Sequence, residues 1–164
     1  MVEGTIQSSK VVDDIDGDIM FVSKAEITED TRKIKYVYYN TNALYIAEAF
    51  NGNGKCPIRY YKNNSIHSNL LYHIKIKDYY NDKINIKYIY YYLLEKQTYI
   101  EENYQIGCAN KSLDVEEFNL MKIPIPSLEN QNKIVKILDD INDRMNGDIK
   151  YIELLQSIIK DIIN

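Results

Sequence analysis

Apolar positions change their period along this chain, and the changes mark its elements. Ile19-Met20-Phe21-Val22 follows the turn signal Asp16-Gly17-Asp18 and predicts a short buried strand. Ile34 to Tyr39 is rich in β-branched and aromatic residues, and Ala43 to Ala47 is a third apolar run. Cys56 to Tyr61 and Leu70 to Lys77 predict further strands. In the latter, Tyr72, Ile74 and Ile76 fall opposite His73, Lys75 and Lys77, the alternation of a half-buried strand. Between these runs lies Asn51-Gly52-Asn53-Gly54-Lys55, the strongest turn signal in the chain. Asn and Gly tolerate positive φ, so it predicts a tight hairpin loop or a Gly-rich bulge.

From Asp82 onward the spacing becomes helical. Ile84, Tyr88, Tyr91 or Tyr92, and Glu95 predict a helix over residues 83–97, capped by Asn81 or Asp82. Ile106 to Lys111 is a small-residue loop, and Ser112 or Asp114 caps a short helical turn through Phe118. Met121 to Ile125 predicts a last strand, which Pro124 and Pro126 confine to an edge or a strand end. Ser127 is a good N-cap. After it, Ile134, Leu138, Ile141, Met145, Ile149, Ile152, Leu155, Ile159 and Ile162 recur at steps of three or four. This is one long amphipathic helix, or two in line with a weak point at Gly147. Unbroken, it would run about 50 Å. No single small domain covers such a stripe, so part of it should face a partner helix.

Size and charge narrow the reading. The chain has 164 residues, one domain or one domain with an appendage. No apolar run is long enough to span a bilayer and no signal peptide opens the chain. Cys56 and Cys108 lie far apart, as reduced thiols in a cytoplasmic protein would. The net charge of −4 argues mildly against a nucleic-acid partner, but its distribution argues the other way. Between Asn51 and Lys77 there is no acidic residue, while Lys55, Arg59, Lys62, Lys75 and Lys77 are basic. Local charge governs phosphate binding, because fields are screened within about 10 Å.

Catalytic patterns are missing from the sequence. There is no Gly-rich phosphate loop, no Gly-x-Ser-x-Gly elbow and no His-Glu-x-x-His. The acid pairs Asp13-Asp14 and Asp139-Asp140 read as solvated charge. Cys56, Cys108, His67 and His73 match no zinc spacing, so neither metal nor cofactor is expected. The tyrosines from Tyr88 to Tyr92 are spaced for packing rather than for base stacking. Asn51 to Lys55, with Arg59, Asn63, Asn64, His67 and Asn69, is richer. Asn pairs with adenine and Arg or Lys with guanine in the major groove, while Lys and Gly-rich backbone suit phosphates. The alternative is an Asn-rich loop that reflects an AT-rich genome, and composition leaves both readings open.

The end of the globular region gives a direction. Ile106-Gly107 through Leu113, Phe118, Lys122-Ile-Pro-Ile-Pro-Ser-Leu-Glu-Asn-Gln131, then Ile134-Val135 and Ile137-Leu138-Asp139, resembles the end of a target recognition domain of type I restriction-modification specificity subunits. The likeness extends diffusely over most of residues 40–160 and only loosely before them. It implies an α+β fold: a mostly β head with a few short helices over residues 1–126, then a coiled-coil-like spacer helix over 127–164. It also implies a module without catalytic activity of its own that reads one half of a bipartite double-stranded DNA site. Partners would be a DNA methyltransferase subunit and a second copy or second recognition domain, docked through the apolar helix positions named above. The expected DNA contacts are Gln7, Ser8 and Lys10 in the first turn, Asn51, Asn53 and Lys55 in the loop, Arg59, Tyr60, Asn63, Asn64, His67 and Asn69 beyond it, and Asn110 and Lys111. The alternative is a dimeric protein-interaction scaffold whose helix does the work.

Overall fold

The computed structural model describes residues 2–3, 18–23, 33–34, 40–52, 54–108 and 111–163, with α-helical side chains described up to 149. The fold is α+β. Its strands are β1 (Val2–Glu3), β2 (Ile19–Val22), β3 (Lys33–Ile34), β4 (Ala43–Ala47), β5 (Ile58–Tyr61), β6 (Ser65–His67), β7 (Leu71–Ile74), β8 (Gln105–Ile106) and β9 (Ser112–Leu113). The helices are α1 (Ile86–Glu95), α2 (Gln97–Asn103), α3 (Val115–Phe118) and α4 (Leu128–Ile163). Strands β1, β7, β4 and β5 form one antiparallel sheet in that order. A second sheet has the order β3-β2-β6, with β2 and β6 parallel.

Strand β4 is the centre of the molecule. Register places Tyr45 between Arg59 and His73, and Leu44 between Tyr60 and Ile74. Directly paired residues share a face, so the Tyr45 face meets the second sheet, where Tyr45 packs on His67 at 4.8 Å. The Leu44 face is covered by α1, where Tyr60 meets Tyr90 at 5.7 Å. Both faces of β4 are therefore buried, which explains an apolar run without alternation.

Several predicted elements are shorter or placed differently. The helix expected over 83–97 begins at Ile86, capped by the Asn85 side chain, which accepts from Lys87 N at 2.9 Å, and it gives way at Lys96 to α2. Asn81 and Asp82 instead lie in the turn after the 3-10 segment Asp78–Tyr80. The predicted strand Leu70 to Lys77 ends at Ile74, and its buried positions are Leu71 and His73 rather than the Tyr72–Ile76 set. The second sheet draws His73 inward. Of the two proposed caps for α3, Asp114 serves, accepting from Glu117 N at 3.2 Å. Most of Ile34 to Tyr39 lies outside the described residues.

Met121 to Ile125 is not a strand but an irregular crossing into α4. Pro124 and Pro126 have no N–H to give to a ladder. Their carbonyls are used instead: Pro124 O accepts from the Tyr88 hydroxyl at 2.8 Å and Pro126 O from Gln131 Nε2 at 2.8 Å. Ser127 caps α4 through a long 3.4 Å contact from Asn130 N. The helix then runs 36 residues without a break at Gly147, about 54 Å. No helix among the described residues is long and apolar enough to cross a membrane.

Candidate nucleic-acid interface and partner helix

Among the described residues expected to touch DNA, those in loops and turns fall at two opposite ends of the main sheet, while Arg59 and Tyr60 lie within β5. The loop from Asn51 to Lys55 joins β4 to β5 at one end. Asn51 N donates to Lys55 O and Gly54 N to Asn51 O, both at 2.8 Å, and Gly54 takes φ +78°, the left-handed region that glycine enters freely. Lys111 belongs to the same end, since its carbonyl accepts from Phe50 N at 2.8 Å. Lys62 and Asn63 are exposed at the other end, with Asn64 half-buried beside them. The length of β4 separates the two ends by roughly 15 Å. Gln7, Ser8, Lys10, Asn53 and Asn110 lie outside the described residues.

Neighbours sort these residues further. Lys55 forms an ion pair with Glu101 at 3.1 Å, and Glu101 also accepts from Cys56 N at 2.8 Å, so much of that ammonium's charge is already answered. Tyr60 spends its hydroxyl on Asn42 Oδ1 at 3.1 Å and carries the Lys87 ammonium 5.5 Å from its ring centre. Arg59 gives Nη1 to Ile58 O at 3.3 Å, while its Nε is buried with no partner among the described residues. Asn69 is half-buried in the turn before β7.

His67 does not belong to a reading surface. It is buried between the sheets, with Nδ1 3.2 Å from both Ser68 O and Leu71 O. Carbonyl oxygens only accept, so Nδ1 carries the proton. His73 lies 5.9 Å from it, ring centre to ring centre, and Tyr45 packs on both. Burial holds both imidazoles below their usual range, and His73 is pushed down to about 4 by burial, the neighbouring His67 and Lys75. Among the described residues, no three metal-ligating side chains come together. Burial, with Glu101 nearby, pushes the Cys56 thiol up to about 12, whereas Cys108 is exposed.

Sequence reasoning missed a groove of about 370 Å³ at the Lys62 end. Thr41, Asn42, Lys75 and Asn81 are among its polar lining residues, and Ile74, Ile76 and Ile84 among the apolar ones. Asn42 adopts φ 48°, which Asn tolerates better than other side chains. Lys75 and Lys77 are exposed and make no ion pair with a described residue, although the exposed acids Asp78 and Asp82 follow closely. Thr41, Asn42 and Asn81 carry no binding signal in the sequence, because only the tertiary fold brings residues 41–42 beside residues 73–76 and 81–86.

The long helix has two working faces rather than one stripe. Gln131 and Val135 are buried against the head, with Leu138 and Asp139 half-buried. At about 100° per residue these share one side of the helix. Ile134, Ile137, Ile141 and Met145 fall on another, and all are exposed, Ile137 at 59%. Ile137 is absent from the predicted partner set, and Leu138 belongs partly to the head. Ile149 is exposed beyond the head, and the side chains of Ile152, Leu155, Ile159 and Ile162 lie outside the described residues. Asp139 is not a solvated acid: it accepts from Lys87 Nζ at 2.7 Å and from the Tyr91 hydroxyl. Its neighbour Asp140 is exposed.

The described residues thus form a β head that ends in a proline crossing and a long helix, with a basic sheet end beside the helix root. Comparison with known proteins gives this architecture a family. Residues 3–154 match the type I restriction modification DNA specificity domain, and the chain belongs to that family. Its fold is also similar to the crystal structure of a type I restriction-modification system S subunit from M. genitalium, with a TM-score of 0.61 at 16% identity. That likeness covers 90% of this chain and 37% of the S subunit, so the chain spans little more than a third of its length.

Proposed function

We propose that this chain reads one half of a bipartite DNA sequence as the specificity module of a type I-like restriction-modification system. Family membership over residues 3–154 is the observation that carries the reading. It favours DNA recognition over a protein scaffold. In this reading residues 1–126 are the recognition head and residues 127–164 the spacer arm. The chain itself contributes no catalysis; methylation or cleavage belongs to partner subunits working in the same cytoplasm.

The Lys62 end of the sheet is the better DNA-facing end. Lys75 and Lys77 are exposed and unpaired among the described residues, while Lys55 at the far end is held by Glu101. Lysines without a carboxylate partner gain most from meeting phosphates. The exposed apolar face of Ile134, Ile137, Ile141 and Met145 suits a second helix of the same kind. A two-fold pair of such chains would read a palindromic bipartite site.

The test combines light scattering for solution mass with selection from a random duplex pool at low salt. A dimer that enriches a split motif supports the reading. A chain that enriches nothing, alone or with a methyltransferase subunit, overturns it.

A further inference from the structure

Gln131 is fully buried at the root of the arm, at 0% exposure, and its amide is engaged at both the oxygen and the nitrogen. Its Oε1 accepts from Asn85 N at 2.9 Å, and its Nε2 donates to Lys83 O at 3.0 Å and to Pro126 O at 2.8 Å. A primary amide has two N–H donors, and here both are used. All three partners are backbone atoms, which no rotamer change can move away. They come from two segments: the turn leading into α1 and the proline crossing. One side chain therefore ties the head, the crossing and the arm together.

A second tie lies two turns further along α4. Asp139 holds Lys87 and Tyr91 of α1, and Asn142 Nδ2 donates to the Tyr91 hydroxyl at 3.1 Å. A helix held at one point can pivot, whereas a helix held at two separated points has its tilt fixed as well. Beyond Asn142, α4 continues to Ile163, a lever of about 30 Å. A 10° change of tilt at the root would swing the far end by roughly 5 Å, more than the ~3.4 Å between successive bases of a strand.

We propose that Gln131 is a positioning residue for site spacing: by fixing the arm's angle on the head, it sets how many base pairs separate the two half-sites. The inference rests on the recognition reading above. Gln131 touches no DNA in this scheme and acts only through the arm.

The experiment is selection from duplex pools in which both half-sites are random and the spacer length varies, using the full chain with its partner subunit. The wild-type chain should enrich one half-site sequence at one spacer length. Gln131→Glu has the same size but turns a donor into an acceptor facing two carbonyl oxygens. It should keep the half-site bases and spread or shift the spacer by one base pair or more. An unchanged single spacer in a folded Gln131→Glu chain overturns the proposal, as does a wild-type chain that tolerates several spacers.

Gln131→Leu and Asp139→Asn serve as independent variants should Gln131→Glu fail to fold. A readout without DNA uses spin labels on the exposed Cys108 and on an Asp143→Cys arm, an exposed position on neither the head face nor the apolar face of α4. A narrow head-to-arm distance in wild type should broaden when Gln131 is replaced, and an equally narrow distance overturns the proposal. A wild-type chain that enriches no two-part motif overturns the recognition reading instead, while the label distances still decide whether Gln131 fixes the arm.

Discussion

Asp139 on α4 accepts the Lys87 ammonium of α1 at 2.7 Å, and the Tyr91 hydroxyl reaches the other carboxylate oxygen. Both charged groups are about two-thirds covered, so the pair is neither a solvated surface bridge nor a dry one. Burial alone would raise the Asp139 pKa, but the hydrogen bonds from Lys87 and Tyr91 outweigh it and hold the carboxyl below its ordinary value. Asp139→Ala should cost about 2 kcal/mol, the scale of hydrogen bonds to a charged group. Because the folded pKa is depressed, this contribution is present above the unfolded value near 4 and is lost as pH falls below it. Urea unfolding of wild type and variant at pH 7 and pH 3 checks both points: the difference in midpoint should shrink in acid.

The two buried histidines give a separate acid dependence at higher pH. His73 is pushed down to about 4, so folding keeps the ring neutral where the unfolded chain would already be protonated. The unfolded state then binds more protons between about pH 6.5 and the folded value, and stability falls as pH drops through that window. The loss should be on the order of 3 kcal/mol by the bottom of the window. Replacing the ring by an uncharged one, His73→Phe, should flatten the slope between pH 6.5 and 4.5, at some cost in packing at pH 7. Chemical denaturation at half-unit steps of pH measures it. An undiminished slope would place the proton uptake elsewhere.

How much of this is legible in the sequence depends on whether a residue's partner lies nearby in the chain. The β4 run, the Asp114 cap and the start of α4 at Ser127 follow from local pattern and capping chemistry, and each forms in the structure. His67 and Asp139 escape a reading by residue type for one reason. Each carries a polar group whose partners come from distant contacts, so residue type alone suggests a surface. His67 is buried because β6 runs parallel to β2 and stacks its ring under Tyr45. Asp139 is engaged because α4 crosses α1 where Lys87 and Tyr91 project. Gln131 stands inside the family-like segment, but a glutamine in a polar helix turn gives no sign that its amide will be fully buried. The Met121–Ile125 strand does not form because an apolar β-like run needs a free ladder edge, and the prolines offer only carbonyls.

The sheet ends should differ in their dependence on salt. Replacing Lys75 and Lys77 by Ala should weaken duplex binding uniformly across sequences. It should also lower the slope of log affinity against log salt by about one for each phosphate that is no longer neutralised. Lys55→Ala should change the slope less, because Glu101 already answers its charge at 3.1 Å. Fluorescence anisotropy with one selected duplex at several potassium concentrations distinguishes the two. A larger slope change for Lys55 would reverse the assignment of the DNA-facing end.

The exposed face of the arm can be tested by placing charge on it. Ile137 and Ile141 are exposed by 59% and 46%, one turn apart, on the side of α4 turned away from Val135 and Gln131. A partner helix seated there would cover both, and each covered side chain contributes about 1.5–3 kcal/mol of apolar burial. Asp at either position would put a charge into that seam, where it has no described partner. Ile137→Asp with Ile141→Asp should therefore convert a dimer to a monomer in light scattering. The head should be spared, because neither residue is among those buried against it. Its unfolding midpoint, followed at concentrations where both proteins are monomeric, should move by less than that of Asp139→Ala. The contrast separates the two faces: Asp139 variants loosen the head and leave self-association largely intact, while Ile137 variants do the reverse. Dimers that survive both aspartates would mean that the chains pair through another surface, and the exposed stripe would then be left for a partner subunit.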